Sequence, residues 1–151
     1  MTHTTAPKKL RLLHNCLAAG ITLLATAQGL RAQDTTIVPC DNNYVNGAYC
    51  YSNNDQHAWH WQSECGGPLF FQFTQGWIES SNFDHVYIFD GPDDTAPLLY
   101  QNAPTPELQD LTCVMALSTG PDLYMEMTSD ASNSCAVGGV PAAWTWVVGI
   151  D

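Results

Sequence analysis

The sequence predicts an all-β domain built as an antiparallel, two-sheet β-sandwich. Apolar residues recur with a period of two in segments such as 69–73, 123–127 and 144–148, which is typical of strands with one buried face. Turn-forming residues separate these segments at 46–47, 52–55, 66–68, 91–94, 102–106 and 120–122. No helical period appears after Gln33, and about eight short strands at this spacing favour a sandwich.

Residues 1–32 have the composition of a secretory signal peptide. Lys8, Lys9 and Arg11 form a basic region, and a mostly apolar stretch over 17–30 ends near an Ala-x-Ala cleavage motif. This stretch has 14 residues and is too short to span a bilayer. We therefore expect the chain to be exported and secreted, with no membrane span.

The exported part is expected to begin with a polar N-terminal segment over 33–46, followed by one domain over 47–151. A chain of 151 residues leaves room for one ordinary domain. A lipoprotein anchor at Cys16 does not fit, because this cysteine precedes the apolar stretch and follows Asn15 rather than a small residue.

The charges are divided sharply along the chain. The 4 basic residues all lie at or before Arg31, the 15 acidic residues all lie after it, and the net charge is −11. Nucleic acid is excluded as a partner, because its binding depends on Lys and Arg that neutralise phosphates. Carboxylates without internal counter-charges repel one another, and several gathered at one point would form a site for a hard cation such as calcium.

Five cysteines remain after the predicted signal peptide: Cys40, Cys50, Cys65, Cys113 and Cys135. In an exported chain they are expected to form structural disulfides, at most two, with one cysteine left over. Any four of them allow three pairings, among which the residues alone do not choose. A zinc knuckle or a thioredoxin-like redox pair is excluded, because no Cys-x-x-Cys spacing occurs.

The segment 83–91, Phe-Asp-His-Val-Tyr-Ile-Phe-Asp-Gly, resembles the central signature of CUB domains, in which an Asp precedes an alternating strand that ends in Asp-Gly. Leu98-Leu99 and the segments 117–123, 128–133 and 143–148 resemble the later motifs of that family in the same order. The similarity covers nearly the whole exported part and looks most like CUB domains of secreted Bacteroidetes-type bacterial proteins. It implies a CUB-like jelly roll that serves as a non-catalytic binding or adhesion module.

The resemblance also implies a calcium site at one end of the sandwich. Calcium takes six to eight oxygen ligands, and matching the family's motif position by position gives three carboxylates, a side-chain amide and a backbone carbonyl: Glu79, Asp84, Asp130, Asn133 and Ser132. Tyr51 matches the early tyrosine that orients a carboxylate. The alternative is that Asp84 and Asp130 only cap loops by accepting hydrogen bonds from backbone N–H groups.

The usual disulfide connectivity of CUB domains cannot be transferred, because no cysteine falls between Cys65 and Cys113. We expect Cys50 to pair with Cys135 and Cys65 to pair with Cys113, which leaves Cys40 over.

An enzyme is not expected. His57 and His60 are three residues apart, so their rings lie on opposite faces of a strand, as do the neighbouring side chains Asp84 and His85. A Gly-x-Ser-x-Gly elbow, a His-Glu-x-x-His motif and a phosphate loop are all absent from the sequence. Nothing places Glu79 and Asp84 across a cleft as a glycosidase pair.

Two binding functions remain. By resemblance, the metal-side loops receive a Lys from an extracellular protein partner, and the acidic charge suits a basic partner. The alternative is a carbohydrate-binding module that uses exposed tryptophans, drawn from Trp59, Trp61, Trp77, Trp144 and Trp146. The period-two alternation places most of these tryptophans in the core, so we favour the protein partner.

Overall fold

The computed structural model describes residues 32–41 and 43–151, so most of the predicted signal peptide lies outside the described residues. The described chain consists of strands and loops, without a helix, and therefore without a helix able to cross a bilayer. The strands are β1 (Ala32–Val38), β2 (Val45–Tyr49), β3 (Gln56–Ser63), β4 (Leu69–Gln75), β5 (Trp77–Ile78), β6 (His85–Phe89), β7 (Leu98–Gln101), β8 (Gln109–Asp110), β9 (Met115–Leu117), β10 (Asp122–Thr128) and β11 (Trp144–Ile150).

Two main sheets form the predicted sandwich. The five-stranded sheet has the order β1-β3-β10-β6-β7, and the four-stranded sheet has the order β2-β11-β4-β9. A small pair, β5 with β8, stands apart from both. The all-β, two-sheet prediction is therefore confirmed.

The core between the sheets is unusually aromatic. The alternating residues of β4, β10 and β11 that were predicted to face inward are all buried, and so are the alternating residues of β3 and β6. Rings from opposite sheets meet edge to face, as Trp59 and Trp146 do with centroids 5.3 Å apart. Such contacts add to the apolar area that each ring removes from water.

The first strand was not predicted. β1 occupies much of the polar segment 33–46 and pairs in parallel with β3, at the edge of an otherwise antiparallel sheet. Its residues, Ala-Gln-Asp-Thr-Thr-Ile-Val, show little alternation, so its place depends on a partner 25 residues further along the chain rather than on a local pattern.

The turn predicted at 46–47 is wrong, because both residues lie within β2. Gly47 faces the ring of Trp146 on the neighbouring strand β11, and a Cβ at this position would collide with the ring. The glycine therefore serves the close approach of a large core side chain rather than a change of chain direction.

The disulfides are Cys50–Cys135 and Cys40–Cys65, with Cys113 free and exposed. The first bond confirms the prediction, whereas the predicted bond between Cys65 and Cys113 is wrong. Cys65 pairs with Cys40 because β1 runs parallel to β3, so that the residues just beyond both strand ends lie close together.

Candidate metal centre

Three carboxylates meet at one end of the sandwich. Glu79 follows β5, Asp84 immediately precedes β6, and Asp130 lies just beyond β10. One oxygen of each lies within 4.8 Å of the others. The antiparallel register brings Asp84 and Asp130 together, because His85 at the start of β6 lies opposite Thr128 at the end of β10. The three residues form the acidic cluster.

Asp84 uses only part of its hydrogen-bonding capacity within the protein. Its Oδ1 accepts a hydrogen bond from the backbone N–H of Asp130 at 2.9 Å, whereas its buried Oδ2 has no partner in the described chain. Burial raises the pKa of the Asp84 carboxyl; the Asp130 N–H and the neighbouring Tyr51 hydroxyl oppose this shift, while the charges of Glu79 and Asp130 add to it. Asp84 is therefore a fully buried carboxylate with one oxygen left open.

Two neighbouring oxygens are buried beside it. The side chain of Tyr51 is fully buried with its hydroxyl next to the Asp84 carboxylate, and Oε2 of Glu79 has no hydrogen-bond partner in the part of the chain that the structure describes. Burial raises the pKa of the Tyr51 phenol, and the negative charge of Asp84 raises it further. Buried polar atoms without partners are rare in folded proteins, so a group of them at one place requires an explanation.

The loop after β10 supplies the other predicted ligands. Ser132 donates from its backbone N–H and its hydroxyl to Oδ1 of Asp130, at 2.8 and 3.0 Å. Asn133, with a φ of 51°, donates from its side-chain amide to Oε1 of Glu79 at 2.8 Å. The fold thus brings both residues to the acidic cluster. Asp84 and Asp130 do cap loop N–H groups, as the alternative expects, but capping leaves Oδ2 of Asp84 open.

Asn102 is a positioning residue that sequence reasoning missed. It is buried, and its amide nitrogen donates to the backbone carbonyls of Glu79 and Asp84 at 3.1 and 2.9 Å. Its amide oxygen accepts the N–H of Val86 at 3.0 Å. One side chain therefore fixes the ends of the 79–84 loop. In the sequence it stands within a segment that otherwise indicates only a turn.

The turn at 52–55 and the Cys50–Cys135 disulfide brace the loop after β10. Asn53 donates to the carbonyl of Ala131 at 2.8 Å, and the hydroxyl of Ser129 accepts the N–H of Asp55 at 2.9 Å. The disulfide joins the residue before Tyr51 to the segment just after Asn133. The acidic cluster is consequently held by covalent and hydrogen-bonded contacts from several segments.

The donor set of the acidic cluster fits a hard cation. Carboxylate oxygens, a phenol oxygen and nearby carbonyls are hard ligands, and no Lys or Arg lies anywhere after Arg31 to balance the charge. A calcium ion at this place would give the open oxygens of Asp84 and Glu79 a partner. The geometry therefore supports cation binding better than it supports acid–base catalysis.

A groove of about 520 Å³ opens beside Glu79. Its walls include Trp77, Phe83, Leu108 and Glu107. Phe83 and Glu107 are exposed, and Trp77 and Leu108 are partly buried. The groove thus combines apolar surface with negative charge next to the acidic cluster.

The other tryptophans do not offer a sugar-binding surface. Trp59, Trp61, Trp144 and Trp146 are all buried in the core, as the alternation predicts. Trp77 alone of the five is partly exposed, and its carbonyl accepts the indole N–H of Trp144 at 2.9 Å.

The described histidines pair away from the acidic cluster. His57 contacts Asp34 at 3.0 Å and His60 contacts Asp122 at 2.8 Å, while His85 contacts the hydroxyl of Tyr87 at 3.2 Å. His57 and His60 alternate across β3, so they do not share a ligand.

No protein-family model and no curated protein matches the chain. Among solved structures, it is similar to the CUB1-EGF-CUB2 domains of rat MASP-1, with a TM-score of 0.54, 14% identity and coverage of 78% of this chain and 42% of that one. It is also similar to the full extracellular region of zebrafish Gpr126/Adgrg6, with a TM-score of 0.53, 13% identity and coverage of 78% and 15%.

A third solved structure is comparable in size to this chain. The MASP-1 CUB2 domain bound to Ca²⁺ matches with a TM-score of 0.50 and 12% identity, over 78% of this chain and 96% of that one. The chain therefore spans less than half of the two longer neighbours and nearly the whole of a single CUB domain. These likenesses show that the chain has a CUB-like fold.

Proposed function

We propose that this CUB-like domain is an extracellular, non-catalytic module for binding or adhesion, in which calcium at the acidic cluster fixes the binding loops. The observation that carries the proposal is the convergence of three carboxylates within 4.8 Å, together with buried oxygens that lack partners. Two disulfides suit an oxidising, extracellular location.

Calcium is the cation that suits these ligands. Glu79, Asp84 and Asp130 supply three carboxylates, and Ser132 and Asn133 can add a carbonyl and an amide oxygen, with water completing six to eight ligands. Magnesium demands stricter octahedral geometry and retains more of its own water. A solved neighbour of the same fold, the MASP-1 CUB2 domain, is bound to Ca²⁺, which supports the assignment.

The partner that we propose is an extracellular protein with exposed basic side chains. Residues 33–151 contain 15 carboxylates and no Lys or Arg, so the domain attracts positively charged surfaces. The groove beside Glu79 offers Phe83 and Trp77 for apolar contact at the same place. By the resemblance to CUB domains, a Lys of the partner would lie against the acidic side chains of the metal-side loops.

Calcium binding is tested by thermal melts of the purified protein in EDTA and in millimolar calcium. A ligand that binds only the folded state raises the melting midpoint. At a ligand concentration tenfold above Kd, the free energy of unfolding increases by about 1.4 kcal/mol. We expect a Kd of about 10⁻⁴ to 10⁻³ M, as in extracellular modules. Asp130→Asn should remove the rise.

The matched control is Asp93→Asn. Asp93 accepts the N–H and hydroxyl of Thr95 at 2.9 and 2.6 Å, the same local pattern that Asp130 makes with Ser132, but it stands in an exposed turn outside the acidic cluster. This variant should keep the calcium effect. A wild-type melt that calcium leaves unchanged would overturn the metal site. Binding to a glycan array without binding to basic peptides would favour the carbohydrate alternative.

A further inference from the structure

The 79–84 loop carries two of the three carboxylates of the acidic cluster, Glu79 at its first position and Asp84 at its last. The third carboxylate, Asp130, lies in a segment that a disulfide anchors close by, at Cys135. Neither disulfide includes a residue of the 79–84 loop. The positions of Glu79 and Asp84 relative to each other therefore depend on noncovalent contacts.

Hydrogen bonds within the loop fix only its later part. The carbonyl of Ser80 accepts the backbone N–H groups of Phe83 and Asp84 at 2.9 and 3.1 Å. The Ser80 hydroxyl also accepts the N–H of Asn82 at 3.3 Å. These bonds make residues 80–84 a compact turn but do not include Glu79. A further contact must therefore set the position of Glu79 relative to the turn.

Asn102 supplies this contact from a position just after β7. Its amide nitrogen donates to the backbone carbonyl of Glu79 at 3.1 Å and to that of Asp84 at 2.9 Å. A side-chain amide carries two N–H donors, so both hydrogen bonds form at once. One planar group thus spans the backbone of two proposed calcium ligands and holds them at a set separation.

The Asn102 side chain is itself fixed in place. It is 1% exposed, and its amide oxygen accepts the N–H of Val86 at 3.0 Å. The next residue, Ala103, accepts the N–H of Ser81 at 3.1 Å and donates its own N–H to Oε1 of Gln109 at 3.0 Å. A buried amide whose donors and acceptor all have partners adopts one orientation. The contact to the loop is therefore in place before any ion binds.

We infer that Asn102 sets the calcium affinity of the acidic cluster, an inference that rests on the proposed calcium site. A ligand set that must be ordered during binding loses affinity, because the entropy cost of ordering is subtracted from the gain in contacts. With Asn102 in place, Glu79 and Asp84 have their spacing before calcium arrives. Without it, calcium must order the 79–84 loop as it binds, and the affinity falls while the sandwich persists.

Calcium titration of Asn102→Ala tests this inference. Melting midpoints of the purified protein are followed across calcium concentrations that bracket the wild-type Kd, at constant ionic strength. The Kd of each variant follows from the dependence of stability on calcium. We expect Asn102→Ala to raise Kd about tenfold, as does the loss of other groups that orient metal ligands.

The matched control is Ser118→Ala. Ser118 is also buried, and its hydroxyl accepts the N–H of Leu69 and donates to the carbonyl of Gly120, both at 2.7 Å. It lies just before β10, whereas the acidic cluster lies beyond the other end of that strand. Ser118→Ala should lower the melting midpoint in EDTA and leave the calcium Kd unchanged. A merely structural Asn102 would give the same result.

A second measurement requires no variant and therefore decides the question even where Asn102→Ala does not fold. Hydrogen–deuterium exchange of the wild-type protein reports on the N–H groups of Ser81 and Val86, which bond to Ala103 and Asn102. We expect both groups to be protected in EDTA as well as in calcium, because the loop is ordered before the ion binds.

The outcomes separate this inference from the proposed calcium site. Protection of the 79–84 loop that appears only with calcium would overturn the role of Asn102, and so would an unchanged Kd in Asn102→Ala. In either case the calcium response of the wild type would still support the metal site. A wild type without any calcium response would overturn the metal site and this inference together.

Discussion

Asp84 and Asp90 flank the same strand, β6, one at each end, and their carboxylates differ in how far the protein satisfies their hydrogen bonding. Both oxygens of Asp90 are satisfied by Thr119, whose N–H and hydroxyl donate at 2.7 and 2.8 Å. Asp84 is fully buried, receives one backbone N–H on Oδ1, has no hydrogen-bond partner for Oδ2, and lies beside two other carboxylates. The difference shows how one residue type, at two places six positions apart in a single motif, serves as a loop cap at one end and as a candidate ligand at the other.

The surroundings of each aspartate explain the difference. Asp90 lies in a turn where a nearby threonine supplies two donors, so the carboxylate completes the protein's own hydrogen bonding. Around Asp84, the charged side chains are the carboxylates of Glu79 and Asp130, whose negative charges raise its pKa. Such an arrangement is costly without a cation, because a buried charge needs a partner.

The largest effect is expected from the disulfide at the Asp84 end. Replacing Cys50 and Cys135 together by Ala opens a link across 85 residues, which should cost about 4.5 kcal/mol of unfolding free energy on the chain-entropy model. The same change at Cys40 and Cys65, 25 residues apart, should cost about 3.5 kcal/mol. Urea unfolding measures both losses.

Calcium titration then sharpens the comparison between the two disulfides. Loss of Cys50–Cys135 frees the loop that carries Asp130 and should weaken calcium binding, whereas loss of Cys40–Cys65 should not. Equal weakening in both variants would mean that the disulfide near Tyr51 has no special role in holding the acidic cluster.

A smaller effect separates the two aspartates directly. Asp84→Asn keeps an acceptor for the Asp130 N–H but removes a ligand charge, so it should abolish the calcium-dependent stabilisation. Asp90→Ala loses two hydrogen bonds and should cost about 1–3 kcal/mol, equally in EDTA and in calcium. Melts of both variants in both conditions provide the measurement. A calcium effect that survives in Asp84→Asn and disappears in Asp90→Ala would reverse our assignment.

The smallest effect is the pH dependence that the Asp84 carboxyl contributes to stability. Without calcium, the folded-state pKa of Asp84 is raised above its ordinary value of 3.8, so the folded state holds this proton longer than the unfolded state. Its contribution to stability is therefore most favourable below pH 3.8 and is lost as the pH rises through the folded-state pKa.

Asp84→Asn tests this sign, because an asparagine does not titrate. In EDTA, the variant should gain stability relative to the wild type as the pH rises from acid to neutral, measured by urea unfolding at each pH. A difference that stays constant, or that shrinks with rising pH, would contradict the raised pKa.

Local pattern was sufficient for the sandwich and for part of the site. The buried alternation of β4, β10 and β11 follows from residues two apart, and the strand 85–89 lies between the two aspartates of its motif. Glu79, Asp84 and Asp130 were predicted by resemblance; the register of β6 with β10 brings Asp84 and Asp130 together, and Glu79 joins them from the loop after β5.

The failures involve non-local partners. β1 lacks alternation and is fixed by its parallel neighbour β3, and the pairing of Cys40 with Cys65 follows from that neighbour. Gly47 resembles a turn residue until the ring of Trp146 is placed against it. Asn102 acts through backbone carbonyls, which leave no trace in the sequence.

The absence of Lys and Arg after Arg31 affects the resistance of the protein to proteolysis. Enzymes that cut after Lys or Arg find a site at Arg31, immediately before β1, and none from there to Asp151. Susceptibility to proteolysis ordinarily follows the population of opened molecules. Proteases of this class, however, find no cleavage site within the sandwich, so even an unfolded copy would remain uncut and able to refold.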